Sequence, residues 1–220
     1  MTEQSTKVVF VGDSGVGKTT LLERFCYGKY DVSIRQSLVS RYFEKNMPQN
    51  GSRDPIELMI WDTPGRNELR CFVEDSLKES QVNVIMYSLT DRQSFDNLSS
   101  WISFVSKSKE KNNIVIVENK QDLLQESLIT PQESDLFAKR TGIPLFRVSS
   151  KDNLNIKNLF SHISSMIFHT HLKEQHVLPK GAEAFFGEEY EEFEIAEESA
   201  PSVPPTPRNT PAQQDGNCRI

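Results

Sequence analysis

Eight residues constrain this chain more than any others: Gly12-Asp13-Ser14-Gly15-Val16-Gly17-Lys18-Thr19. They form a complete GxxxxGK[ST] loop. The apolar run Val8-Val9-Phe10-Val11 precedes it, and Leu21-Leu22 through Phe25 opens a helical pattern behind it. The run reads as a buried strand. A strand that turns through glycines into a helix aims backbone N–H groups and a helix N-terminus at one point, which is a cradle for phosphate. Lys18 would neutralise the β- and γ-phosphates there, and Thr19 would offer its hydroxyl to Mg²⁺.

The rest of the chain alternates strand and helix signals. Residues 7–11 and 18–27 are the strand and helix around the loop. Residues 40–45 and 57–61 read as an antiparallel pair, with Asn50-Gly51 as the turn signal between them. Residues 66–80 are polar and weakly helical. Further strands are expected at 82–89, 114–118 and 145–149, and helices at 94–109 and 156–169. Thr130-Pro131-Gln132-Glu133 opens another helix with a cap, a first-turn proline and a capping-box glutamate. That helix runs to about Arg140, and Gly142 stops it. This alternation implies an α/β domain with a mostly parallel sheet and its ligand loops at the strand carboxyl ends.

Asn119-Lys120-Gln121-Asp122 follows the run Ile114-Val115-Ile116-Val117. A carboxylate at Asp122 would accept from both the N1–H and the 2-amino group of guanine, a donor pair that adenine lacks. Lys120 would lie over the base, and Asn119 would tie this loop to the phosphate loop. Between the two motifs stands Ile60-Trp61-Asp62-Thr63-Pro64-Gly65. Asp62 ends a strand where a Mg²⁺-bound water would sit, and the Gly65 N–H would reach the γ-phosphate.

In this order the motifs resemble a Ras-superfamily small GTPase over about residues 7–170. The stretch from Val84 to Leu98, followed by Trp101-Ile102, resembles the Rab branch. The resemblance implies a mostly parallel sheet with one antiparallel strand, flanked by helices, binding GTP or GDP with Mg²⁺. It puts Asp13, Ser14, Gly15, Val16, Gly17, Lys18, Thr19 and Thr20 around the phosphates. Tyr30 would lie against guanine, with the Ser149, Ser150 and Lys151 loop beside it and the Ser150 N–H on O6. Mg²⁺ would be held by Thr19, Ser37 and, through water, Asp62. Lys18, Gly65 and residue 66 would serve the hydrolysis. Effectors, exchange factors and activators would bind through 33–45 and 62–80, in support of vesicle traffic.

Two departures stand out. Ser37-Leu38-Val39 replaces the family's Thr-Ile-Gly, which implies a looser first switch. Arg66 replaces the glutamine that orients the attacking water, and a guanidinium accepts no hydrogen bond. Losing that orientation costs on the order of 10²-fold in rate. Pro64 also removes a backbone donor. Slow intrinsic hydrolysis is therefore expected. A scaffold that holds GTP without cycling stays open beside the switch, as does a nucleotide kinase, which conflicts with Asn119–Asp122.

Residues 1–6 are a short polar start, 7–172 the domain, and 173–220 a tail. The tail is acidic with interleaved aromatics, then proline-rich, and reads as disordered. With 25 Lys and Arg against 31 Asp and Glu, the net charge of -6 argues against nucleic-acid binding. Cys26, Cys71 and Cys218 lack paired or metal-ligand spacing, which suits a reduced, cytoplasmic protein. Cys218 is the candidate for lipidation and attachment to the cytoplasmic face of an endomembrane. Only two residues follow it, one short of a CaaX box.

Overall fold

The computed structural model describes residues 6–31, 39–48, 55–107 and 113–174. The chain divides into two units, 1–177 and 178–220, and every described residue lies in the first. Among the described residues six strands form one sheet in the order β2-β3-β1-β4-β5-β6. They are β1 (Thr6–Val11), β2 (Arg41–Met47), β3 (Ile56–Asp62), β4 (Val82–Ser88), β5 (Asn113–Asn119) and β6 (Leu145–Arg147). Only the β2–β3 pair is antiparallel; every other neighbour is parallel.

Helices cover both faces, so the inner strands carry continuous apolar runs rather than an alternating pattern. In β1, Val8 and Phe10 enter one core with Leu21 and Leu22 of α1 (Lys18–Tyr27) and Leu159, Phe160 and Ile163 of α6 (Ile156–Glu174). Val9 and Val11 enter the other. There they meet Val73 and Leu77 of α2 (Arg70–Leu77) and Leu98, Trp101 and Val105 of α4 (Leu98–Ser106). Each face thereby excludes water from a continuous apolar layer, the main favourable term in folding.

Several elements differ from their expected extent. The helix expected over 94–109 is two: α3 (Arg92–Asp96) and α4, which meet at Asn97. Asp91 caps α3 by accepting from the Gln93 and Ser94 N–H groups, so this helix starts earlier. The Asn97 backbone (φ -77°, ψ -7°) then tightens the turn between them. Residues 121–126 form a 3₁₀ helix where no element is expected, because Lys120 enters a left-handed conformation (φ 69°) and starts a new turn. Strand β6 stops at Arg147; Ser149 instead bridges Leu154 and folds the chain back. Helix α6 continues past His169 to Glu174. Asn113 reaches its Thr170 at 3.0 Å, a polar contact that no apolar period announces.

Strand β2 extends to Met47 because Phe43 and Met47 are buried opposite Ile60 and Ile56. Residues 66–80 hold a 3₁₀ turn, Asn67–Leu69, and then α2. The helix α5 (Pro131–Thr141) carries the full capping box between Thr130 and Glu133, and Gly142 closes it in a left-handed conformation. Asn50-Gly51 lies outside the described residues. Among the described residues, no helix is long and apolar enough to cross a membrane.

Candidate functional site

The parallel strands end on one edge of the sheet, and that edge gathers the motifs. Strand β1 delivers the glycine loop, β3 ends on Asp62, β5 ends on Asn119, and Ser149-Ser150 follows β6. Within the loop, Lys18 is buried and its Nζ donates to the Gly12 and Asp13 carbonyls at 2.7 and 2.8 Å. Burial pulls its ammonium down to about 8, against the pull of the Asp62 and Asp13 carboxylates. A bound phosphate would supply the counter-charge that burial makes costly to lack.

Three glycines are needed for contact rather than for looseness: a Cβ on Gly12 (φ 135°) would fall on the Met86 carbonyl. Gly17 has φ 97°, and a Cβ there would fall on the Asn119 amide. A Cβ on Gly65 would fall on the peptide between Asp13 and Ser14. The segment after β3 therefore lies against the phosphate loop, close enough for the Gly65 backbone to share a ligand with it. Val16 is buried in the core, Gly15 is exposed, and Ser14 and Thr20 are half-buried.

The loops that follow β5 and β6 hold one another. Asn119 Nδ2 donates to the Val16 carbonyl at 2.9 Å, joining the two loops. Its Oδ1 accepts from Ser150, from the hydroxyl at 3.1 Å and the N–H at 3.3 Å. Asp122 accepts from the Ser149 hydroxyl at 2.7 Å, and Lys151 Nζ stands 3.9 Å from its other oxygen. Arg24 of α1 donates to the Ser150 carbonyl at 3.0 Å and also to that of Lys151. Its guanidinium lies 5.7 Å from the ring centroid of Tyr30, which places that exposed ring beside the Ser149–Lys151 loop.

Glu118, buried just before Asn119, is the hub behind these loops. It accepts from the Tyr87 hydroxyl and from Gln121 Nε2, and Arg147 Nε lies 3.7 Å away. Burial and the Glu118 charge push the Tyr87 phenol far above its ordinary range, so it stays protonated and donates to Glu118.

Asp13 keeps its backbone in the phosphate loop while its side chain turns away. Its carboxylate accepts from Asn97 Nδ2 at 2.6 Å and Trp101 Nε1 at 2.7 Å, so it points to α4. What it presents to the loop is its backbone, which keeps a negative charge from facing phosphate. The other face of Trp101 carries the Arg70 guanidinium, 4.3 Å from the ring centroid. One indole thus touches both the phosphate loop and the start of α2.

On the remaining side, Thr19 and Asp62 converge: the Thr19 hydroxyl donates to Asp62 Oδ2 at 2.6 Å. Asp62 is fully buried. A hydroxyl and a carboxylate meeting beside a phosphate cradle suit the oxygen-loving Mg²⁺, which keeps several waters and shares phosphate oxygens. Among the described residues no group of three His, Cys, Asp or Glu gathers to hold a metal by itself. Arg41 Nη2 also approaches Asp62 Oδ2, at 3.7 Å. Arg66 is exposed just after Gly65. Ser37 and Cys218 lie outside the described residues.

Arg24, Arg41, Asn97 and Glu118 are absent from the sequence reading of the site. Asn97 and Trp101 had a signal, since helical spacing of four puts them on one face. Glu118 had a weaker one, an acid within an apolar strand. Arg41 had none, because only strand register sets it opposite Asp62. Compared with known proteins, residues 7–169 match the family model described as the Ras family.

Proposed function

This chain belongs to the Ras family of small GTPases, and from that premise we propose that it is a Rab-like guanine-nucleotide switch with slow intrinsic hydrolysis. The observation that carries the guanine reading is the double role of Asn119, bonded to Val16 of the phosphate loop and to Ser150 of the last loop. Base and phosphate recognition are thereby one pocket. In it Asp122 accepts from the guanine N1–H and 2-amino group, and the Ser150 N–H, which donates to Asn119 Oδ1 at 3.3 Å, would turn in part to O6. Lys18 and the loop N–H groups take the β- and γ-phosphates.

Thr19, Ser37 and, through water, Asp62 would hold Mg²⁺, which neutralises phosphate charge when bound. The Gly65 N–H would meet the γ-phosphate and pull the following segment into its active form. With Arg66 in place of the glutamine, water is left unoriented, and an activating partner would have to supply that group. Val39, Tyr42 and Phe72 stand exposed on and beside β2 and on α2. Their apolar surface supports partner binding through 33–45 and 62–80. A role in vesicle traffic, and attachment to an endomembrane through Cys218, follow from the Rab resemblance.

Thermal shift of the purified chain with Mg²⁺ tests the guanine reading. GDP should stabilise it strongly and ADP little, and Asp122→Asn should move the preference toward xanthine nucleotides. Equal stabilisation by GDP and ADP would overturn the reading. The substitutions Arg66, Pro64 and Val39 favour a second one, a scaffold that holds GTP without turnover. A flat hydrolysis time course, even with a cognate activator, would select the scaffold.

A further inference from the structure

Arg41 opens β2 and sits directly opposite Asp62 in the antiparallel register. That register is locked, because a shift by one residue would expel Phe43 and Met47 from the core. Its guanidinium therefore comes to the mouth of the site by construction. Nη2 lies 3.7 Å from Asp62 Oδ2, the same oxygen that accepts from Thr19 at 2.6 Å. Asp62 is wholly buried while the Arg41 side chain is half-exposed. The carboxylate is thus shielded from bulk water, and Arg41 adds a fixed positive charge beside it to that of Lys18.

We propose that Arg41 is a built-in counter-cation of the magnesium site: it neutralises Asp62, weakens the hold on Mg²⁺, and lets bound guanine nucleotide persist when Mg²⁺ is scarce. The proposal rests on the guanine-nucleotide reading above. A divalent ion gains from Asp62 only to the extent that the carboxylate is not already neutralised. An arginine keeps its charge at any working pH and needs no binding step. Mg²⁺ has few protein ligands in such a site, so a change at one of them weighs heavily.

The test uses the full chain loaded with a fluorescent N-methylanthraniloyl GDP. Its release rate is recorded as free Mg²⁺ is stepped from chelated to millimolar. Arg41→Gln should lower the Mg²⁺ concentration for half-maximal retention about tenfold and make chelation accelerate release by a correspondingly larger factor. Arg41→Lys, which keeps the charge, should stay within about twofold of wild type. A purely structural role would change release by one factor at every Mg²⁺ level and leave the midpoint unmoved, and that result overturns the proposal. Failure of the wild-type chain to retain the analogue at any Mg²⁺ level would instead remove the guanine reading and this inference with it.

Discussion

Asn119, Asp122 and Ser150 hold one another across three loops, with Glu118 bracing them from behind, whereas Asp62 meets Thr19 and a half-exposed arginine at the opposite end of the same pocket. The base end is tied together by the chain's own side chains. Its donors and acceptors are spent on one another in a buried network, where each loss is costly. At the magnesium end Lys18 is buried with lowered proton affinity, and Gly65 lies against the loop. In the proposed switch, a rigid base end would fix which nucleotide binds. A ligand-dependent end lets the γ-phosphate and the metal decide what the neighbouring segments do.

The largest effect should come from cutting the base end loose. Asn119→Ala removes the bonds to Val16 and Ser150 and should weaken GDP binding by about 10²- to 10³-fold in a fluorescence titration. A loss of only about twofold would mean that the two loops do not depend on this tie. At the other end, Arg66→Gln restores an acceptor for the attacking water. Single-turnover GTP hydrolysis should rise on the order of 10²-fold with GDP affinity unchanged. A variant no faster than wild type would clear Arg66 of the defect.

Glu118→Gln sharpens the contrast, because it touches only the base end. It should destabilise the fold by about 1–3 kcal/mol and weaken GDP by about tenfold, while the Mg²⁺ dependence of retention stays as in wild type. Denaturant melts and the same titration read both.

The smallest effect is expected at Glu133, whose bonds to Arg92 and to Thr130 tie the start of α5 to α3. The Arg92 bond first, then those from Thr130, holds its carboxyl at about 2, against an ordinary 4.5. A carboxyl whose folded value is depressed stabilises above its unfolded value and loses that contribution as pH falls toward the folded one. The wild type should therefore lose a small increment between about pH 4.5 and 2 that Glu133→Gln lacks, seen as converging thermal midpoints on acidification.

Strand-and-helix order was readable from the chain because burial on both sheet faces demands continuous apolar runs, as in Val84–Tyr87, which is buried throughout. The break at Asn97 was not, since it depends on the Asp91 cap and a tightened turn rather than on any glycine or proline. Asp13 shows the same limit. Its place in the loop motif gives its backbone position, while the direction of its carboxylate is set by Trp101, 88 residues away.

What the sequence determined by itself was chemistry carried by neighbours in the chain: glycines before a lysine, and an acid three residues after an asparagine at a strand end. Backbone geometry alone sends those groups to one edge. What only the tertiary structure decided was which distant side chain meets them. Arg41 reaches Asp62, and Arg24 reaches the Ser150 carbonyl, through strand register and helix packing. Those are set by how the whole core fills, and no local spacing encodes them.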